Sequence, residues 1–271
     1  MPIGVFAKTF SRNSVLEVLQ AVKQYGFEVA HFNFACMGLS DIPAEIPDAA
    51  ILEIQAAKAA TGIELVGVSA TFNMAHPEEQ VRKTGLKSLE KIAAAGRELG
   101  IPLISLCTGS RNMADKWAFH PDNNSREAWV DMVQSTEAAV AIAERYDVVL
   151  GIEPELGNVI SNPEKAALLL KEMASDRLKI ILDPANLFEE ARPDEIKSLI
   201  TDAIELLGPH IAMAHAKDRT AAGGFAAPGK GVIPFGFFVD QLEAAGLNCP
   251  LVAHGLDEGE AATVAQYLKK T

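Results

Sequence analysis

The sequence Val148-Val149-Leu150-Gly151-Ile152-Glu153-Pro154-Glu155 is a short apolar run that ends in two carboxylates spaced two residues apart. The run predicts a buried strand, and on a pleated strand the two carboxylates point to the same face. Three later apolar runs also end in groups that bind metals or move protons. Asp183 ends one, His215 with Lys217 ends the next, and His254 ends the last. Such groups at the C-terminal ends of successive buried strands indicate a metal site in a parallel barrel.

On either side of this stretch, the chain alternates short apolar runs with amphipathic segments. We predict seven further strands, at 3–7, 27–34, 64–72, 102–107, 178–183, 211–216 and 250–254. We predict helices at 14–25, 49–60, 77–99, 125–146, 193–207 and 235–245, one that opens at Asn162-Pro163, and a last one from Asp257 onward. Pro77 is expected in the first turn of its helix.

Eight strand–helix units predict an α/β fold of the (β/α)8 barrel type, a TIM barrel, as a single domain over residues 1–271. An open doubly wound sheet is the alternative. It is disfavoured because Phe6-Ala7-Lys8-Thr9-Phe10 follows the first strand, where that fold carries a glycine-rich fingerprint. The alternation of side chains along the seventh strand supports the barrel. Met213, His215 and Lys217 share one face of the strand, and the alanines between them share the other.

Composition limits the classes of function. A formal net charge of -12 over 271 residues speaks against a broad basic surface, so we expect neither nucleic acid nor a membrane as a partner. The three cysteines are odd in number and lack metal-type spacing, which indicates reduced thiols and a cytoplasmic setting. The first residues lack the features of a signal peptide, and no apolar run approaches membrane-spanning length. The sequence leaves a monomer and a homo-oligomer both open.

The residues at the predicted strand ends resemble a known family. Glu153, Asp183 and the element His215-Ala216-Lys217-Asp218 follow the fifth, sixth and seventh strands. This order resembles the sugar phosphate isomerase/epimerase group of xylose-isomerase-like TIM barrels, a superfamily that also contains type IV apurinic endonucleases. The stretches 71–77 and 106–109 add to the resemblance, which covers essentially the whole chain.

The resemblance implies one divalent cation, commonly manganese, magnesium, cobalt or zinc, held by Glu, Asp, His and a last-strand Glu. Glu153, Asp183 and His215 match the first three positions, and His254 stands where many relatives carry the glutamate. We predict His254 as the fourth ligand, and two imidazoles favour zinc, manganese or cobalt over magnesium. A histidine in place of that glutamate speaks against an epimerase that uses two metal-bound glutamates on opposite sides of the substrate.

A second departure concerns the sixth strand, where relatives often show Asp-x-x-His. Here the fourth residue is Asn186, which hydrogen-bonds a substrate hydroxyl more readily than it binds a metal. A site for more than one metal ion would therefore lack one of its ligands. Together with the acidic charge, this argues against a DNA-repair site.

The chemistry that fits these residues is proton transfer beside a carbonyl, with a metal-stabilised enediolate. Glu153 is predicted as both ligand and base, Glu155 as the free base or a partner of a ligand, and Lys217 as a group that stabilises negative charge. Glu258 is an alternative base, or else an acid in the first turn of the last helix.

Further polar and aromatic residues are candidates for binding the substrate. They end predicted strands or lie near the ends of helices or on the long loops 108–124 and 223–231, and they are Lys8, Asn73, His76, Arg111, Trp117, His120, Asn186, Lys230 and Glu258. For several of these, a surface ion pair, a helix cap or loop packing is the competing interpretation. His31 is interpreted as a strand histidine rather than a ligand.

Three functions fit the sequence. The first is a metal-dependent isomerase or epimerase of a small sugar or sugar phosphate. The second is a metal-dependent lyase or dehydratase of a polyhydroxy or keto acid, which would use the same site. The third is a non-catalytic barrel that binds sugars.

Overall fold

The computed structural model describes residues 1–271 and shows a closed barrel of eight parallel strands, as predicted. The barrel strands are β1 (Ile3–Phe6), β2 (Val29–Phe32), β3 (Glu64–Ser69), β4 (Leu103–Cys107), β5 (Val149–Glu153), β6 (Leu178–Leu182), β7 (Ile211–Ala216) and β10 (Leu251–Ala253). β1 pairs with both β2 and β10, which closes the barrel. Two short strands that were not predicted, β8 (Asp218–Arg219) and β9 (Phe225–Ala226), form an antiparallel hairpin after β7.

Eight helices cover the outside of the barrel. They are α1 (Val15–Gln24), α2 (Asp48–Thr61), α3 (Glu79–Leu99), α4 (Arg126–Tyr146), α5 (Pro163–Met173), α6 (Pro193–Leu207), α7 (Phe235–Ala244) and α8 (Ala261–Leu268). Ser14, Ser125 and Asn162 cap α1, α4 and α5 by accepting hydrogen bonds from backbone amides in the first turns. No helix is both long enough and apolar enough to cross a membrane.

Some boundaries differ from the prediction. α3 begins at Glu79, so Pro77 precedes the helix; the amide of Glu78 donates to His76 Nδ1, and the chain turns there first. α8 begins at Ala261 because residues 258–260 form a tight 3₁₀ turn. β3 ends at Ser69 rather than at residue 72. Beyond it, the Asn73 side chain accepts bonds from loop amides, which competes with strand pairing.

The core has two layers of very different size. A cluster of 74 buried residues fills the space between the strands and the helices, whereas the barrel interior contains a small cluster of Leu103, Ile181, Met213 and Val252. Met213 lies inside and Ala214 and Ala216 lie outside, as residue phase predicted. Ala212 is the exception and packs against the interior cluster, where the pairing of β6 and β7 shifts register. Between this small apolar cluster and the C-terminal ends of the strands, the barrel interior holds polar groups instead.

Candidate active site

A cavity of about 430 Å³ opens at the C-terminal ends of the barrel strands. In a parallel barrel, loops and strand ends at this face hold the functional groups. The residues that line it are Phe6, Lys8, His31, Asn33, Asp41, Ser69, Thr71, Ser105, Lys116, Trp117, Glu153, Glu155, His215, Lys217, Phe225, His254 and Gly255. The cavity is large enough for a ligand the size of a sugar.

Three potential metal ligands converge at one side of the cavity. Glu153 is the last residue of β5, Asp183 follows β6, and His215 lies on β7. Because these strands are neighbours in the barrel, their ends lie side by side, and one ligand atom from each residue lies within 4.8 Å of the other two. The strand-end pattern in the sequence therefore becomes a compact set of two carboxylates and an imidazole.

The hydrogen bonding of this set is incomplete. The Oδ2 atom of Asp183 and both ring nitrogens of His215 are buried and make no hydrogen bond of normal geometry. His215 Nδ1 lies 3.2 Å from Glu153 Oε1, and Lys217 Nζ lies 3.4 Å from Asp183 Oδ2, but both contacts are poorly aligned or long. Buried polar atoms without partners are costly, and this group of oxygen and nitrogen donors fits a divalent cation.

The electrostatics of the acids lead to the same conclusion. Burial raises the pKa of Asp183 to about 6 against the opposing charge of Lys217. Burial, reinforced by the charge of Glu153, raises the pKa of Glu155 to about 8. Burial also acts to raise the pKa of Glu153, but His215 and Lys217 outweigh it and the pKa falls to about 2. Three carboxyl groups so close together repel one another, and a cation at their centre would relieve that repulsion.

Asn186 holds the ligand set in place from behind. Its Nδ2 donates to Glu153 Oε1 at 3.0 Å, and its Oδ1 accepts from Lys217 Nζ at 3.2 Å. The sequence predicted Asn186 as a substrate-binding residue, and in the structure its side chain bridges the Glu153 carboxylate and the buried Lys217. Partners of this kind fix the orientation of metal ligands.

His254 lies beside the three-ligand set rather than in it. Its ring stacks on His215, with centroids 5.6 Å apart and planes only 4° apart, and its Nδ1 is buried without a partner. Burial, with the nearby charges of His215 and Lys217, lowers the pKa of His254 to about 3. The predicted fourth ligand is thus a neutral imidazole that lines the cavity outside the set of mutually close ligand atoms.

His31 is a strand histidine, as the sequence predicted, and it also lines the cavity. It lies on β2, is 1% exposed, and its Nε2 contacts Ser105 Oγ at 3.0 Å, while its Nδ1 has no partner. Its ring packs against Phe6 and lies 5.7 Å from that of His215. The alternation of side chains along the second strand could have indicated that His31 faces the barrel interior.

Among the other predicted substrate-binding residues, Lys8 and Trp117 line the cavity. Lys8 is also held in an ion pair, with its Nζ 2.6 Å from Asp41 Oδ1. Cavity residues that sequence reasoning did not single out include Phe6, Lys116 and Phe225. Phe225 belongs to the unpredicted hairpin, and no local motif indicated that it would reach the cavity.

The remaining predicted substrate-binding residues lie outside the cavity wall and make structural contacts. Asn73 donates to the carbonyl of Ser110, and His76 accepts from the amide of Glu78. Arg111 Nη1 lies 2.6 Å from Asp131 Oδ2. His120 caps a 3₁₀ turn, Lys230 pairs with Glu260, and Glu258 binds Arg12 and the hydroxyl of Tyr25.

Comparisons with known proteins agree with the geometry. The family model described as xylose isomerase-like TIM barrel matches residues 19–271. A search against curated proteins gives no match.

Solved structures share the fold over the full length of the chain. 3-Keto-D-glucoside 4-epimerase YcjR from E. coli is 20% identical, with 100% of both chains covered and a TM-score of 0.79. D-Psicose 3-epimerase from Clostridium cellulolyticum H10, solved with D-tagatose, is 17% identical over 100% of this chain and 99% of that one, with a TM-score of 0.75. The probable 3-DHS dehydratase AsbF from Bacillus anthracis is 13% identical over 99% and 98%, with a TM-score of 0.75.

Proposed function

The chain belongs to the xylose isomerase-like TIM barrel family, and we propose that it is a divalent-metal-dependent isomerase or epimerase of a small sugar. The observation that carries the proposal is the convergence of Glu153, Asp183 and His215 within 4.8 Å at three neighbouring strand ends. Glu155 stands next to this set in the same cavity. Two of the similar structures are sugar epimerases, and this likeness at the level of the fold supports the reaction class by analogy.

Glu153, Asp183 and His215 would hold the cation, and Asn186 would keep Glu153 in orientation. When bound, manganese, zinc, cobalt or magnesium supplies a Lewis acid that polarises a substrate carbonyl. The set offers three protein ligands, which leaves coordination positions for substrate oxygens. His254 would form part of the cavity wall beside the cation.

Glu155 would move the proton at the carbon next to the carbonyl. Its carboxyl group lines the cavity and makes no ion pair or side-chain hydrogen bond, and a cation on the neighbouring ligands would favour its ionised form. Lys217 is buried beside Asp183 and Glu153 and would stabilise negative charge that develops on the substrate. A base beside an electrophilic centre is what an isomerase or epimerase requires.

A dehydratase remains the second candidate because AsbF, described as a probable dehydratase, shares the fold over nearly the whole chain. The same residues would serve it, with a hydroxyl leaving from the neighbouring carbon.

Product analysis in D₂O tests the proposal. Protein loaded with Mn²⁺ is incubated with a panel of aldoses, ketoses, keto acids and their phosphates, and the products are identified by mass spectrometry and NMR. Deuterium next to the carbonyl is the expected result. Glu155→Gln should retain the metal and lower the exchange rate by about 100- to 10,000-fold. Glu258→Gln, whose parent residue lies outside the cavity, should exchange at the wild-type rate.

Each other outcome has a distinct meaning. Net loss of water would replace the proposal with a dehydratase. Sugar binding without turnover would indicate a binding barrel. Failure of the wild-type protein to retain any divalent metal would refute the proposed site.

A further inference from the structure

Two loops raise exposed aromatic side chains at the cavity mouth. Trp117, on the loop after β4, is 42% exposed, and Phe225, on the hairpin after β7, is 57% exposed. Both line the same cavity as Glu153 and His215, two of the three proposed metal ligands. Because β5 and β6 separate β4 from β7 in the barrel, the two side chains rise from different parts of the rim.

The loop that carries Trp117 is held firmly. The side chain of Asn158 accepts from the amide of Gly109 at 2.8 Å and donates to the carbonyl of Lys116 at 3.0 Å. At Gly157, an added Cβ would lie only 2.0 Å from the carbonyl oxygen of Trp117, so the two loops are in close backbone contact. Trp117 is therefore presented on a supported backbone.

The hairpin is anchored as firmly as the loop. Asp218 is fully buried, and its carboxylate accepts hydrogen bonds from the amides of Arg219, Gly229, Gly231 and Ile233 at 2.8–3.1 Å. The ring of Phe225 packs against the cations of Lys217 and Arg219, each 4.3 Å from its centroid. More than half of the side chain still faces solvent, so apolar surface is left for a ligand.

The cations near the mouth are poorly arranged for a phosphate. The three cations that the sequence predicted as substrate-binding groups are held by acids: Lys8 by Asp41, Arg111 by Asp131 and Lys230 by Glu260. Lys217 pairs with Asp183. Lys116 is the one cavity-lining cation without an acid partner, and its Nζ lies over the ring of Trp117. A single lysine near the cavity carboxylates is a weak site for a dianion.

We propose that the substrate is an uncharged glycoside, in which a second ring, glycosyl or aryl, lies between Trp117 and Phe225 while the reacting sugar lies over the metal ligands. This inference rests on the proposed function and narrows its substrate class. Exposed apolar side chains on supported loops gain contact area when a ring covers them, without a cost for ordering the loops. A monosaccharide at the metal ligands would leave this surface uncovered.

Binding measurements on the metal-loaded protein test the inference. The ligands are the common hexoses, their 6-phosphates, their phenyl glycosides and disaccharides built from them, measured by calorimetry. The best phenyl glycoside or disaccharide should bind about 10-fold or more tightly than its parent hexose. Trp117→Ala and Phe225→Ala should each remove about 3- to 10-fold of that gain, a larger loss than either variant causes for the parent hexose.

Phe119→Ala is the matched control, since Phe119 is 60% exposed on the same loop as Trp117 but does not line the cavity. It should bind every ligand as the wild type does. Trp117→Phe should keep part of the gain, because it retains a ring. The phenyl and disaccharide arms show which kind of second ring the mouth prefers.

The inference is overturned if the second ring adds no affinity, if a 6-phosphate binds more tightly than any glycoside, or if the aromatic variants weaken hexose and glycoside binding equally. In each of these cases, proton exchange on free sugars would still support the proposed function. If none of the ligands binds, the sugar site itself is refuted, and the inference with it.

Discussion

The two halves of the barrel mouth differ in charge. The ends of β5, β6 and β7 carry Glu153, Asp183, His215 and Lys217, which we call the charged half. The ends of β10, β1 and β2 carry His254, Phe6 and His31, which we call the ring half. Burial lowers the pKa of both His254 and His31, so the ring half is neutral. The one acid that lines the cavity outside the β5–β7 side, Asp41, is paired with Lys8.

A carboxyl group without an ion-pair partner therefore lines one side of the cavity only. The resemblance that the sequence suggested implies two glutamates facing opposite sides of a substrate. Here the charged half has the donors for a cation and the adjacent acid Glu155, whereas the ring half offers imidazoles and a phenyl ring. Substitutions in each half test how far the two halves differ in function.

Asp183→Asn should abolish the charged half as a metal site. The variant keeps an oxygen for the amide of Ala185, which Asp183 Oδ1 accepts at 2.9 Å, but it removes the charge and the buried unpaired oxygen. We expect metal affinity to fall by roughly 100-fold or more, above the range for residues that only support a ligand. Asp240→Asn, at an exposed aspartate on α7, is the control. Equal affinities for the two variants, measured by calorimetry, would contradict the site.

Asn186→Ala should weaken metal binding less, by about 10- to 100-fold, because Asn186 supports Glu153 without being a ligand. The loss should be similar for Mn²⁺ and Zn²⁺, since the donor atoms are unchanged. Unchanged affinity in Asn186→Ala would show that the contact between Asn186 and Glu153 does not position the ligand.

The residues of the charged half could be predicted from the sequence because their placement is local. Each ends an apolar run, and the parallel register of neighbouring strands brings those ends together. The barrel follows from the same periodicity, and cap residues such as Ser125 and Asn162 fixed where helices begin.

Other residues depend on partners that are distant in sequence, which no local pattern reveals. Glu258 binds Arg12, 246 residues away, and Arg111 binds Asp131 across a loop. The position of Phe225 depends on the hairpin, which Asp218 anchors through three amides 11 to 15 residues further along. Whether His254 enters the ligand set depends on the exact spacing of the strand ends, which strand order alone does not determine.

Two interior glycines test the packing of the barrel interior, one on β5 in the charged half and one on β3 next to His31 of the ring half. An added Cβ at Gly151 on β5 would lie 2.8 Å from Ile181 Cγ1, and one at Gly67 on β3 would lie 3.0 Å from the flexible end of Met213 and 3.3 Å from His31 Cδ2. Gly151→Ala should lower the free energy of unfolding by about 1–3 kcal/mol, and Gly67→Ala by less. Gly236→Ala, with no atom near the new Cβ, should be neutral or stabilising. Urea denaturation gives the order, and a reversed order would contradict this view of the interior.

The smallest effect should come from the ring half. His254→Ala should lower metal affinity by less than about 10-fold, because the stacked ring lies outside the three-ligand set. A loss as large as that in Asp183→Asn would instead make His254 a ligand after a small shift of the ring.

His254→Glu tests further whether residue 254 is a ligand or only part of the cavity wall, since it places a carboxylate at this strand end. If the ring half lies within reach of the cation, this variant should bind Mg²⁺ and Mn²⁺ more tightly relative to Zn²⁺ than the wild type does, because added oxygen ligands favour the harder ions. If the metal preference does not change, the two halves act independently, and the difference in charge between them is also a division of function.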